Sequence, residues 1–296
     1  MKPILIAGPT ASGKSALAIA LAQALGGRVI NADSQQVYAD WQVLTARPSP
    51  EETAAAPHLL YGHVALDQPY SVGHWLSEVI PLLSGPPAII VGGTGLYFKA
   101  LTQGLAPIPI VPDEIRARGE AELERMGLAD FVAALATRDP ETVDALDRDN
   151  PRRALRAWEV LEATGTGLAA WRARTPPPTV ALADCVPVAL TPDREALYAR
   201  CDTRFDAMIR EGAVDEARAV MARNYPPDAP GLKAVGAGAL FDWLRGACTQ
   251  QEAADRAKME TRRYAKRQLT WIRNQMRDWH HLTSPDPDAV LALMRG

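Results

Sequence analysis

Short apolar runs alternate with amphipathic segments over the first hundred residues of the chain. Ile4-Leu5-Ile6-Ala7 has no polar position, as in a strand buried on both faces, and Ala16 to Leu25 is an Ala/Leu-rich run stopped by Gly26-Gly27, as in a helix. Arg28 to Ala32 reads as the next strand, Leu59 to Leu66 as a candidate strand and Val72 to Leu83 as a helix. Ala88 to Val91 reads as a strand running into Gly92-Gly93-Thr94-Gly95. This alternation predicts an α/β fold, a parallel sheet flanked by helices with ligands at the carboxyl ends of its strands.

Proline then punctuates the chain at Pro107, Pro109 and Pro112, and again at Pro176-Pro177-Pro178. From about Asp113 to Thr175 nothing reads as a strand; Asn150-Pro151 supplies an N-cap and first-turn pair and Gly165 a stop. An all-helical insertion domain over 113–185 is therefore expected, hung from a core domain of 1–112 and 186–296. The sheet resumes at Val186 to Leu190, and Thr191-Pro192 opens a helix with Leu197, Cys201 and Met208 as its core stripe. A long helix is predicted from about Glu252 to Trp279, and Ala289 to Met294 reads as a docked final helix.

Composition narrows the class. With 296 residues, 47% of them hydrophobic, and a net charge of −3, the chain is globular, and any nucleic-acid surface must be local. The first strand begins after three residues and no apolar run approaches a membrane span, so neither a signal peptide nor a membrane is expected and the cytoplasm is the expected location. Three cysteines, Cys185, Cys201 and Cys248, fit neither a disulfide framework nor a zinc site, and the five histidines lack metal-ligand spacing. The absence of a heptad seam or an obvious apolar patch points to a monomer.

The chemistry begins at Gly8-Pro9-Thr10-Ala11-Ser12-Gly13-Lys14-Ser15, a full match to G-x-x-x-x-G-K-[ST] between a strand and a helix. Its glycines let successive N–H groups turn inward as a phosphate cradle, Lys14 reaches the outer phosphates and Ser15 can hold Mg²⁺. The fold class is accordingly a P-loop NTPase-like parallel sheet. Asp33 follows the second strand directly and projects from the same edge. A P-loop ATPase places a second acid at the end of a long apolar strand, but Ala88 to Val91 ends in Gly-Gly-Thr-Gly, so Asp33 is better used as a proton acceptor for a nucleophile. Thr94 in that glycine loop can hydrogen-bond a flat base.

Cations gather in two places. Arg152, Arg153 and Arg156 fall early in a helix, where the helix dipole disfavours them unless an anion binds. Glu252 to Trp279 holds eight Lys/Arg against four Asp/Glu, with Arg262, Lys266, Arg273 and Arg277 along one stripe and Arg256, Arg263 and Arg267 along its neighbour. Tyr264, Trp271 and Trp279 interleave with them, the pattern of a looped or single-stranded RNA surface.

These segments together resemble the bacterial tRNA dimethylallyltransferases. Similar motifs run in order through Gly8 to Ser15, Asp33-Ser34-Gln35-Gln36-Val37-Tyr38, Tyr70-Ser71-Val72, Gly92 to Tyr97, Asn150-Pro151-Arg152-Arg153, Arg204-Phe205-Asp206 and Tyr264 to Gln268. The resemblance implies transfer of a dimethylallyl group from dimethylallyl diphosphate to N6 of the adenosine 3′ of the anticodon. The loop would hold the leaving diphosphate, with Mg²⁺ assisting. It implies catalytic roles for Asp33, Thr94, Lys14 and Arg116, and contacts to the tRNA anticodon stem-loop from Asp33, Ser34, Gln35, Gln36, Thr94, Arg116, the segment Arg152-Arg153-Ala154-Leu155-Arg156, Lys233, Arg263 and Arg267. Two departures stand out. Lys233-Ala234-Val235-Gly236-Ala237-Gly238-Ala239 lacks an aromatic and a basic side chain that the family carries there, and Arg47 replaces the usual lysine of Leu44-Thr45-Ala46-Arg47-Pro48. The alternatives are a small-molecule kinase using ATP, which leaves the basic helix without a use, and a nucleotide-dependent RNA-binding switch, which gives no reason for the Asp33-to-Tyr38 block.

Overall fold

In the computed structural model, which describes residues Met1–Arg295, the apolar runs become strands whose alternate residues enter two different cores. Strand β1 (Ile4–Ala7) leads into α1 (Lys14–Leu25), followed by β2 (Arg28–Asn31), α2 (Pro50–Ala55), β3 (His58–Leu59), α3 (Val72–Val79), β4 (Ala88–Gly92) and α4 (Gly95–Gln103). Leu5, Ile30 and Ile90 point to one side, where Trp75, Val79, Phe98 and Leu101 of α3 and α4 cover them. Ile4, Val29 and Ile89 point to the other, against Leu17, Ala18 and Leu21 of α1. Period-two alternation with both faces apolar thus makes a sheet covered by helices on both sides.

A second compact unit, Gln103–Pro178, contains α5 (Asp113–Met126), α6 (Leu128–Arg138), α7 (Pro140–Asp144), α8 (Pro151–Thr164) and α9 (Leu168–Ala173). Phe131, Leu135, Val143, Ala157 and Val160 form its own core. The expected bounds of 113–185 move for a packing reason: Ile108 and Val111 join this helical core, whereas Val180 and Cys185 belong to the core under the sheet.

The chain returns as β5 (Val186–Leu190), α10 (Arg194–Arg210), α11 (Ala213–Ala222), α12 (Ala237–Leu244), α13 (Gln250–Gln275), β6 (His280–Leu282) and α14 (Pro287–Leu293). The six strands lie in the order β3-β2-β4-β1-β5-β6, all parallel. Helices α10 to α13 share a further core with Val37, Tyr38, Trp41 and Leu44 from the stretch after β2.

Three further expectations are corrected and one strand is added. The candidate strand over Leu59 to Leu66 joins the sheet only at its start, because Leu60 and Gly62 both adopt left-handed backbone and turn the chain out of it, leaving Val64 to make a single parallel bridge with Tyr38. The helix from Val72 is α-helical only to Val79 and tightens into a 3₁₀ turn at Ile80–Leu83, since Pro81 offers no N–H to continue it. Helix α13 ends at Gln275, four residues before Trp279, because Trp279 turns inward to pack edge-on against Phe98, 5.4 Å between ring centroids. Arg277 is therefore off the helical stripe, and Trp279 is a core residue unable to stack on a base. Strand β6 goes unseen in the sequence because His280-His281-Leu282 is a three-residue edge strand with two exposed histidines, held by backbone pairing.

Candidate active site

β1, β4 and β2 are adjacent strands, so the loops leaving their carboxyl ends share one edge. The Gly8 N–H donates to the Gly92 carbonyl at 3.2 Å and the Thr94 N–H to the Ala32 carbonyl at 3.1 Å, lacing the three loops together. That closeness requires glycine: a Cβ on Gly92 would sit 2.0 Å from the Ala32 oxygen. The phosphate loop curls through left-handed backbone at Ala11 and Gly13, and α1 begins at Lys14 with no side chain capping its first amides. Those uncapped N–H groups and the positive end of the helix dipole form an anion cradle.

Lys14 is 8% exposed and donates to the Pro9 carbonyl at 3.2 Å. Burial pulls its pKa down to about 8 against the opposing attraction of Asp33. Asp33 is also 8% exposed; its backbone N–H donates to Asn31 Oδ1 at 2.8 Å and its Oδ1 accepts from the Gln35 N–H at 3.0 Å, which fixes the carboxylate and leaves Oδ2 without a hydrogen bond among the described residues. Thr94 accepts from the Ser34 N–H at 2.9 Å and donates to Ser34 Oγ at 3.2 Å, and the Tyr264 hydroxyl lies against the same group.

Two side chains complete the site. Arg204 on α10 donates to Thr10 Oγ1 at 3.3 Å, and burial lowers its pKa, with no carboxylate paired to it among the described residues. Gln268 on α13 is 6% exposed and bridges two loops: its Oε1 accepts from the Thr10 N–H at 2.9 Å and its Nε2 donates to the Gly93 carbonyl at 3.1 Å. Both lie in motifs that carried the family resemblance, Arg204-Phe205-Asp206 and Tyr264 to Gln268, but neither stood out as a site residue. A polar side chain on the buried face of a helix was the available signal.

Thr10, Lys14, Ser15, Asp33, Gln35, Gln36 and Arg204 line one cavity of about 50 Å³, closed on its apolar side by Leu44, Phe205, Met208 and Val235. Asp33 is the single carboxylate among those lining residues. Gln35 and Gln36 spend side-chain bonds on the fold, Gln35 Oε1 accepting from the Val235 N–H and Gln36 Nε2 donating to the carbonyls of Thr45 and Ala46. Tyr264 also lines the cavity, with the Arg267 guanidinium 5.5 Å from its ring centroid.

The remaining sequence candidates divide by exposure. Arg263, Lys266, Arg267 and Arg273 on α13 are exposed and have no ion pair among the described residues, whereas Arg256, Lys258 and Arg262 are paired to Asp242, Asp206 and Asp202. Lys233 is exposed at the end of a 3₁₀ turn, followed by buried Ala237 and Ala239. In the helical unit, Arg116 pairs with Asp113, Arg153 with Asp147 and Arg156 with Glu159, and Arg152 is exposed. Ala154 is fully buried in that unit's core and Leu155 packs against it, so their side chains serve packing.

The family model for IPP transferase matches residues 36–275, and that for isopentenyl transferase matches residues 1–60. A tRNA dimethylallyltransferase of Cereibacter sphaeroides is 53% identical over 285 residues, 96% of this chain and 90% of its own. The full-length tRNA isopentenylpyrophosphate transferase of Bacillus halodurans superposes with a TM-score of 0.69 at 32% identity, covering 99% of this chain and 93% of its own. A eukaryotic dimethylallyltransferase acting on tRNA superposes with a TM-score of 0.82 at 26% identity, covering 97% of this chain and 75% of its own.

Proposed function

The chain belongs to the IPP transferase family, and from that premise we propose how the cavity at the strand ends works. The reaction moves a dimethylallyl group from dimethylallyl diphosphate to N6 of the adenosine 3′ of the tRNA anticodon, releasing diphosphate. The observation that carries the assignment of roles is one carboxylate, Asp33, sharing a cavity at the phosphate loop with two cations, the buried Lys14 and the half-buried Arg204. A trianionic diphosphate matches those cations and the uncapped amides of α1, and charge growing on it during C–O cleavage meets donors already in place. The adenine N6 lone pair is delocalised into the ring, so the amine attacks well only as it loses a proton, which Asp33 accepts. The base must leave its stack to reach the cavity. Thr94, held beside Asp33's neighbour Ser34, orients the amine.

Mg²⁺ fits as a partner of the diphosphate. No three His, Cys, Asp or Glu side chains converge into a cage among the described residues, while Ser15 is exposed at the mouth of the loop, so Ser15 would hold the ion together with diphosphate oxygens and water. When bound, the ion would neutralise charge on the leaving group. Arg263 and Arg267 grip the stem-loop from α13, and Arg116, Arg152, Arg153, Arg156 and Lys233 add contacts to the phosphate backbone. The protein works as a monomer in the cytoplasm; among the described residues no helix is long and apolar enough to cross a membrane. The test is to offer dimethylallyl diphosphate and ATP separately with unmodified tRNA. Consumption of the allylic diphosphate with prenylated adenosine as product is expected, and hydrolysis or transfer from ATP would hand the site to the kinase reading.

A further inference from the structure

A second, larger cavity of about 450 Å³ adjoins the first. Ser15, Gln36, Arg204 and Met208 line both, so these four side chains form the partition between them. Three are held polar groups: Ser15 belongs to the phosphate loop, Gln36 donates to the carbonyls of Thr45 and Ala46, and Arg204 donates to Thr10. Met208 is the apolar member, half-buried against Phe205 and Leu44 at the edge of the α10–α13 core. Ile19, Val29, Val43, Pro48 and Ala207 give the larger chamber an apolar side beyond it, with Arg47, Glu52, His58 and Glu211 on its polar side.

Resting on the prenyl-transfer reading, we propose that Met208 sets the length of the allylic chain this enzyme accepts. With the diphosphate held at Lys14 and Arg204 and its first carbon turned to the amine, the hydrocarbon must lie along the apolar side formed by Leu44, Phe205, Met208 and Val235. Five carbons end at the Met208 thioether. A ten-carbon chain needs the space beyond it, which the thioether closes off, and the side chain is unbranched and adaptable enough to seal around the short tail. Hydrophobic sites separate ligands differing by one methylene about 10- to 200-fold, so a steric stop is an effective selector. Geranyl transfer follows the same balance: the N6–C1 bond forms, the C1–O bond breaks with its electron pair leaving on diphosphate, and the N6 proton passes to Asp33.

The test measures kcat/KM for geranyl diphosphate and dimethylallyl diphosphate at saturating tRNA in the wild type and in Met208→Leu, Met208→Val and Met208→Ala, with thermal melts to confirm folding. The ratio of geranyl to dimethylallyl use is expected to stay within a few-fold in the leucine variant and to climb through valine to at least about tenfold in alanine. A flat ratio in the valine and alanine variants, or a wild type that already uses both diphosphates equally, would overturn the role of Met208. A wild type that transfers no dimethylallyl group at all would instead overturn the reading on which it rests.

Discussion

Cations serve two regions of this molecule under opposite physical conditions. At the phosphate loop Lys14 is buried and Arg204 half-buried, and desolvation lowers the pKa of both, while the exposed Arg200 donates to the Ala11 carbonyl from outside. Along α13, Arg263, Lys266, Arg267 and Arg273 are exposed and have no ion pair among the described residues. A buried cation is weakly screened and interacts strongly with one anion in one place, whereas exposed cations are screened, individually weak and additive over a long polyanion. The first arrangement suits a small diphosphate whose charge changes during reaction. The second suits a nucleic-acid backbone whose charge does not.

The comparison can be broken most severely at the carboxylate that shares the cavity with Lys14 and Arg204. Asp33→Asn keeps the shape but removes the proton acceptor, and single-turnover transfer is expected to fall by roughly two to four orders of magnitude while tRNA affinity changes only a few-fold. Rapid-quench transfer and filter binding on the same preparation check it; equal losses in both would move Asp33 out of the chemistry. Gln268→Ala unties Thr10 from Gly93, and loosening the two loops by about an ångström is expected to lower kcat/KM on the order of a hundredfold. Gln268→Glu can still accept from Thr10 but cannot donate to Gly93, so only partial recovery is expected, read from steady-state kinetics.

Acidity distinguishes the regions next. Burial disfavours the Lys14 ammonium, so as pH rises through about 8 the free site loses positive charge and captures diphosphate less well. kcat/KM for dimethylallyl diphosphate is expected to fall about tenfold per pH unit on that limb. Lys14→Arg, which stays charged, is expected to carry the limb upward. The smallest effects lie on α13. Charge reversal of Arg263 and Arg267 is expected to flatten the salt dependence of tRNA binding by about one log–log unit per lost phosphate contact. Neutralising Lys258 and Arg262, already satisfied by Asp206 and Asp202, is expected to leave the slope nearly unchanged, as titration of binding against KCl will show.

What could be read in the sequence follows the same divide. Strands β1 and β4 are legible because burial on both faces admits only apolar side chains, and the phosphate loop because its geometry demands a fixed spelling. Asp33 is legible from its position just past the apolar run of a strand. Arg204 and Gln268 are not legible because each sits alone on an otherwise ordinary helix, and their meaning comes from contacts 194 and 258 residues away, to Thr10 in both cases. Exposed cations on α13 could be counted in the sequence but not sorted: which were paired depended on α10 and α12 presenting Asp202, Asp206 and Asp242. The edge strand β6 carried no side-chain pattern at all.

The division of labour between buried and exposed cations is tested most directly on the unaltered enzyme, by measuring KM for tRNA and for dimethylallyl diphosphate over a range of KCl at fixed Mg²⁺. The log of KM for tRNA is expected to rise steeply with the log of salt, by about 0.7 to 0.9 per phosphate contact, while KM for the diphosphate rises with a shallow slope because its cations are shielded from the electrolyte. Equal slopes for the two substrates, or a steep slope for the diphosphate alone, would contradict it.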